Sequence, residues 1–220
     1  MPAYRSSAEA EIREPVVARL REIVPGCRII HEINATGFGN RIDVLAVGKD
    51  RIAAVEIKSA KDKLDRLPAQ IEAMRGVTYE VFAALHEKFL DATSIGVMPP
   101  DAARHATVWV YPRAERKGHV DCGLDWNSFD LWKKPVRNLP ATAINILWRE
   151  ELHAICDFLG VRGVPRLDMR QAIDEIRWRM TGEEITKSIC RCLRARECVE
   201  ADPPIVAAND NTTTDTTNAA

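Results

Sequence analysis

"RIDVLAVGKDRIAAVEIKSAK", Arg41 to Lys61, is the stretch on which the fold turns. Apolar side chains recur every second residue on both sides of Gly48-Lys49-Asp50, which reads as two strands, Arg41 to Val47 and Arg51 to Lys58, and a tight turn. Ile42, Val44 and Ala46 share one face of the first strand, and Ala53, Val55 and Ile57 share one face of the second; both faces suit packing on a helix. The opposite faces carry Arg41, Asp43, Leu45 and Val47, then Ile52, Ala54, Glu56 and Lys58. Charges at the end of so apolar a strand are costly to bury unless they are paired or bind a metal.

The turn sets how these charges meet. A loop of Gly48-Lys49 places glycine at the first central position of a type II′ turn, pairs Asp43 with Ala54 and leaves Asp43 and Glu56 as diagonal neighbours, roughly 7 Å apart at the backbone. A loop of Lys49-Asp50 sets Asp43 directly opposite Glu56. Either register gathers Arg41, Asp43, Glu56 and Lys58 at the open end of the hairpin, whereas a three-residue loop would part the two acids. Two carboxylates held together repel, and a hard divalent cation, Mg²⁺ or Mn²⁺, relieves that repulsion. Lys58, two residues after Glu56, could orient a water and stabilise negative charge growing on a phosphate. The set suits hydrolysis of a phosphodiester. The plain alternative is a surface hairpin whose exposed face carries ordinary cross-strand charge pairs.

Outward from the hairpin, Ser6 and Glu9 have capping-box spacing before a helix marked by Ile12, Val16, Leu20 and Ile23. Pro15 predicts either a kink there or a regular helix beginning near Glu14. Cys27 to Asn34 reads as a strand and Ala35 to Asn40 as a glycine-containing loop. Leu67, Ile71 and Met74 mark a short helix, with Asp65 as its cap and Pro68 in its first turn. Val77 to Leu85 reads as a strand by its β-branched and aromatic residues, and Thr107 to Tyr111 as another. Three helices are expected further on: one containing Ile144, Leu147, Trp148, Ile155 and Leu159, one starting at Asp168 with Gln171 in capping spacing, and one starting at Thr181 with Glu184 likewise. The expected organisation is an α/β core over 1–111, an irregular connection over 112–139, a helical domain over 140–200 and a disordered tail over 201–220.

The set Asp43, then Glu56-Ile57-Lys58 on the next strand, resembles the signature of the PD-(D/E)XK nuclease superfamily, the restriction-endonuclease-like fold. The element order is similar to that superfamily's αβββαβ core, although Ile42 stands where the signature has proline. More narrowly, "HEIN…RIDVLAV…VEIKSAKDKLDRLPAQIEA", with the helical "INILWREELHAICDFLG…ITKSICRCLRAR", is similar to a group of small bacterial and phage members. The resemblance implies a metal-dependent nuclease acting on nucleic acid, DNA above all, with Mg²⁺ or Mn²⁺ held by Asp43 and Glu56. Lys58 would be catalytic, Glu32 a further acidic metal ligand or a positioner of the metal-bound water, and Gln70 a helper on the short helix. Arg41 and Arg66 would contact phosphate, and Glu11 or Glu14 could be the acid contributed by the first helix. Pairing of two copies is common in such nucleases. The rival expectation is a nucleic-acid-binding or adaptor protein that keeps the fold without cutting.

The net charge of −1 over 220 residues gives no global basic signature. No apolar run approaches the ~20 residues of a membrane span, and the first ten residues lack the apolar core of a secretory signal, so a cytoplasmic protein without a membrane partner is expected. The six cysteines form no CxxC pair and read as free thiols. The five histidines show no metal-ligand spacing. Asp62 matches an acid of the narrower group. Lys133, Lys134 and Arg137, with Trp126 and Trp132, could grip a single strand, or be solvated lysines beside core tryptophans.

Overall fold

The computed structural model describes residues 7–35, 40–93, 96–111, 126–127 and 138–206. The chain runs α1 (Ser7–Ile23), β1 (Arg28–Asn34), β2 (Arg41–Val47), β3 (Ile52–Lys58), α2 (Leu67–Arg75), β4 (Glu80–His86), β5 (Asp91–Thr93), β6 (Gly96–Met98), β7 (Thr107–Tyr111) and β8 (Trp126–Asn127), followed by α3 (Arg149–Phe158), α4 (Met169–Arg179) and α5 (Gly182–Ala195). The result is a mixed α/β fold. Its main sheet has the order β1-β2-β3-β4-β7-β8, antiparallel through β1-β2-β3 and β7-β8 and parallel through β3-β4-β7. β5 and β6, which no strand pattern in the sequence announces, form a separate hairpin.

The sheet is covered on both faces. Ile12, Val16 and Leu20 of α1 pack with Val44, Ala46, Ala53, Val55 and Ile57. Pro15 is on the exposed side of α1, where water can serve the carbonyl that loses its partner, so the helix continues through it. On the other face Leu45, Val47, Ile52 and Ala54 meet Leu67, Ile71 and Met74 of α2, and the same cluster extends to Ile155, Ile173 and Leu193 of α3, α4 and α5. The C-terminal helices thus share one core with the sheet. A β3 buried along its whole length follows from helices on both faces.

The turn differs from the glycine-first loop. Gly48 donates its amide to the Arg51 carbonyl (2.9 Å), so Lys49-Asp50 are the loop and Val47 pairs with Ile52. A type II′ turn needs positive φ at its first central residue, and Gly48 is not among the positive-φ glycines. Its space is needed instead: a Cβ there would sit 2.9 Å from Val24 Cγ1.

Other local readings are corrected by side-chain chemistry. Thr78 donates its hydroxyl to the Ile52 carbonyl and accepts the Glu80 amide at 3.1 Å, so β4 begins only at Glu80. The N-cap of α2 is Arg66, with no side-chain cap bond, rather than Asp65. The first C-terminal helix is broken: Ala141–Ile146 is a 3₁₀ segment, and Trp148 is extended, its amide held by the Glu151 carboxylate at 2.7 Å, before α3 begins. Asp168/Gln171 and Thr181/Glu184 do form capping boxes on α4 and α5. The expected basic and aromatic grip at Trp132, Lys133, Lys134 and Arg137 lies outside the described residues, as does the side chain of Trp126. So does the loop at 36–39. Cys27, Cys156, Cys190, Cys192 and Cys198 are free thiols. Among the described residues no helix is long and apolar enough to cross a membrane.

Of the tail expected to lack order, Ala201–Val206 is docked, and 207–220 lies outside the described residues. Ala201 bridges Ile30 on the free edge of β1, and Asp202 donates its amide to the Ile29 carbonyl (2.9 Å). The Asp202 carboxylate accepts the Ile29 amide and the Arg21 guanidinium, both at 2.9 Å. Backbone pairing to a sheet edge needs no apolar period, which is why the sequence pattern misses it. Beneath it Arg28, fully buried, donates to the carbonyls of Leu193 (2.8 Å) and Asp202 (2.9 Å). Asp202→Ala leaves the Ile29 amide without its acceptor and should lower unfolding free energy by about 1–2 kcal/mol in a urea titration; an unchanged midpoint would mean that the segment adds nothing to stability.

Candidate active site

β2 and β3 part company at their open end. Their pairing runs from Val47 opposite Ile52 to Val44 opposite Val55. Beyond that point the Asp43 carboxylate itself takes the Ile57 amide, Oδ2 at 2.8 Å. On the other side the β1–β2 pairing passes from His31–Val44 to Ile33–Ile42 and skips Glu32 and Asp43. Glu32 sits at φ 55°, the one non-glycine residue with positive φ among those described. Such a conformation in a strand is strained and is sustained by surrounding contacts. Here β2 turns over: Ile42 packs in the α2-side cluster and Val44 in the α1-side cluster, so the expected common face of Ile42, Val44 and Ala46 holds only for the last two.

Glu56 and Lys58 point to the α2 side and are buried, at 1% and 8% exposure. That removes the reading of an exposed charged face. Lys58 Nζ donates to Glu56 Oε1 (2.6 Å) and to Gln70 Oε1 (2.9 Å), and Gln70 Nε2 donates to the same Glu56 Oε1. Gln70 reaches them because Leu67, Ile71 and Met74 seat α2 on the sheet and turn its next face toward β3. Glu56 Oε2 is left buried without a hydrogen-bond partner. Burial above all, and the neighbouring Asp43 charge, push the Glu56 carboxyl up to about 8. Burial also raises Asp43, against the opposing Ile57 amide, with Glu32 adding to the rise.

The structure therefore brings Asp43, Glu56, Lys58 and Gln70 together. Glu32 stands beside them in a guanidinium clasp, 2.9 Å from Arg13 Nη2 and 2.7 Å from Arg41 Nε. Arg41, Lys63 and Arg66 line a cleft of about 490 Å³ with Asp43, Lys58 and Gln70. Asp62 closes the turn after β3, accepting the Ser59 amide (2.7 Å) and hydroxyl (2.6 Å). Glu11 and Glu14 are exposed. The α1 acid tied to this neighbourhood is Glu9, through Arg13.

Arg13 and His31 went unnoticed in the sequence. Arg13 is 2% exposed and donates to the Asp43 carbonyl (2.9 Å) and to His31 Nδ1 (3.1 Å). Burial, then the Arg13 charge, drive His31 down to about 4, so its imidazole is neutral near pH 7. A signal for Arg13 exists: it precedes Val16 by three and Leu20 by seven, placing a charge on the apolar stripe of α1.

Two carboxylates suit a hard cation that keeps most of its own water, the pattern of Mg²⁺. The orphaned Glu56 Oε2 and the mutually opposed Asp43 and Glu56 charges fit such an ion. Among the described residues no group of three or more His, Cys, Asp and Glu is arranged to hold a metal, consistent with Glu32 being engaged by arginines.

The family model described as Bacteriophage P4 protein cII matches residues 3–102, the part of the chain from α1 through β6 that contains this cleft. No curated protein matches the chain. No solved structure matches it either.

Glu56→Gln retains Oε1 for Lys58 and Gln70, removes a carboxyl whose ionisation burial opposes, and offers an amide where Oε2 has no partner. The variant should melt several degrees higher than wild type in the presence of a chelator, the gain expected when a buried carboxyl with an unpartnered oxygen gives way to an amide. A lower melting temperature would mean that Glu56 is there to hold the fold.

Proposed function

We propose that the chain is a metal-dependent nuclease of the restriction-endonuclease-like class, hydrolysing phosphodiester bonds of nucleic acid, with DNA as the favoured substrate. The observation that carries this reading is the buried set Glu56–Lys58–Gln70 facing Asp43, with one Glu56 oxygen unserved. A structural ion pair would satisfy both carboxylate oxygens, since a buried orphan costs about 1–3 kcal/mol. The order α1-β1-β2-β3-α2-β4, with the acids at the parting of β2 and β3, supports the same class.

Asp43 and Glu56 would hold Mg²⁺ or Mn²⁺, which when bound supplies Lewis-acid polarisation of a phosphoryl oxygen and activation of water. Lys58 is kept from swinging away by Glu56 and Gln70, so its ammonium is preset beside the phosphate under attack and stabilises charge that grows there. Glu32 and Gln70 act in support. Arg41 and Arg66, on the rim of the cleft, would meet phosphates on either side of the reacting one. The match to a phage protein family is in keeping with a phage-related role.

Lys58→Met removes the charge and keeps the stem. On a panel of labelled linear, flapped, branched and single-stranded nucleic acids with Mn²⁺, the wild type should cleave at least one substrate. The variant should be slower by roughly 100-fold or more, with its dissociation constant little changed. A wild type that cuts nothing on the panel, with a variant that loses affinity alone, would point to the binding-protein reading instead.

A further inference from the structure

Arg13 is the most buried cation near the cleft, and the mechanism above leaves it unused. Its guanidinium contacts three elements. Nη1 donates to the Asp43 carbonyl on β2 and to His31 Nδ1 on β1, and Nη2 donates to Glu32 on β1 and to Glu9 on its own helix. Because arginine only donates, His31 Nδ1 must be the unprotonated nitrogen. The contacts fall where the sheet is interrupted. β1–β2 pairing skips Glu32 and Asp43, and Arg13 bonds both of these residues.

We propose that Arg13 is a positioning residue of the metal site: it replaces the missing strand pairing at Asp43 and thereby fixes the Asp43 carboxylate toward Glu56. The proposal rests on the metal reading above. Asp43 is then held twice, by Arg13 at its carbonyl and by the Ile57 amide at its carboxylate. With both held, Asp43 is fixed at the open end of the hairpin, beside Glu56. Arg13 also clasps the Glu32 oxygen that Arg41 does not take, so one guanidinium contacts both the residue at strained φ and Asp43. Groups one step removed from a metal ligand typically change metal affinity by about 10–100-fold when lost.

The test compares full-length wild type, Arg13→Met, Arg13→Lys and Arg28→Met. Arg28 is equally buried but lies under the C-terminal segment, away from the cleft, and serves as a control for general destabilisation. Each protein is titrated with Mn²⁺ by calorimetry and melted in the presence of a chelator. Arg13→Met should weaken Mn²⁺ binding by at least about 10-fold, Arg13→Lys by less because one charge without the fork can still reach one partner, and Arg28→Met should lower the melting temperature without changing Mn²⁺ affinity. Should Arg13→Met fail to fold, Arg13→Lys decides. Wild-type Mn²⁺ affinity in the folded Arg13 variants overturns the positioning role and leaves the metal site intact. Equal losses of affinity in Arg28→Met and the Arg13 variants also overturn it, since stability alone would then account for them. A wild type that binds no Mn²⁺ overturns the metal reading and the positioning role with it.

Discussion

The interruption of strand pairing at Asp43 is the constraint on which the site depends. In an unbroken ladder a side chain stands out of the sheet and the backbone groups are used by neighbouring strands. At Asp43 the β2–β3 pairing stops and the β1–β2 pairing skips a pair, and the side chain turns into the gap to accept the Ile57 amide. The carboxylate therefore lies at the mouth of the hairpin, level with the Glu56 that projects from the next strand. Glu32 at positive φ is the local distortion that accompanies the gap, and Arg13 spans it. A regular β2 would send Ile42 to the α1 side. Its packing on the α2 side is the core's record of the same turn-over.

Buried charge is used in two different ways in this molecule. Arg196 is 6% exposed and meets Glu151 through two nitrogens while also donating to the Ile146 carbonyl at 3.0 Å, so that both of its anionic partner's oxygens are occupied. Its other role is to lie beneath the Trp148 ring, 4.4 Å from the centroid. That is a cluster which ties α5 to α3 and to the segment before it. The cleft is different: Lys58 and Gln70 both crowd onto one oxygen of Glu56, and the other oxygen is buried without a hydrogen-bond partner. The first arrangement occupies both carboxylate oxygens, and the second leaves one Glu56 oxygen unserved, the feature on which the proposed metal site rests.

Much of this was legible in residues 41–61, because a two-residue side-chain period and a tight turn leave few ways to arrange two strands. The pairing of Gln70 with the site was expected from the resemblance, while helical spacing from Leu67, Ile71 and Met74 placed it only off the apolar face. What escaped lies where tertiary contacts override local pattern. The turn register was settled by Val24 crowding Gly48, a contact across elements. The α1 acid at the site is Glu9 rather than Glu11 or Glu14, because Arg13, not an acid, occupies the inward position of the helix. The ordered Ala201–Val206 segment binds by backbone and by one aspartate, features that composition does not weigh.

The C-terminal helices bear on the cleft through α2. A helix of nine residues is too short to be stable by itself, so its position must come from what packs on it. One side of α2 meets the sheet through Leu67, Ile71 and Met74, and these residues belong to the cluster that also holds Ile144, Leu152 and Ile176. At its C-terminal end the Gly76 carbonyl accepts the Thr142 hydroxyl at 2.6 Å, a direct tie to the 3₁₀ segment ahead of α3. Gln70 is carried on this clamped helix, and Gln70 restrains both Lys58 and Glu56. The helical part therefore reaches the cleft without lending it a side chain: by fixing α2 it fixes the amide that fixes the lysine. It follows that residues such as Thr142 and Ile144, remote from the cleft along the chain, belong to the machinery that presets Lys58, and that the sheet and the helices act as one unit at this site.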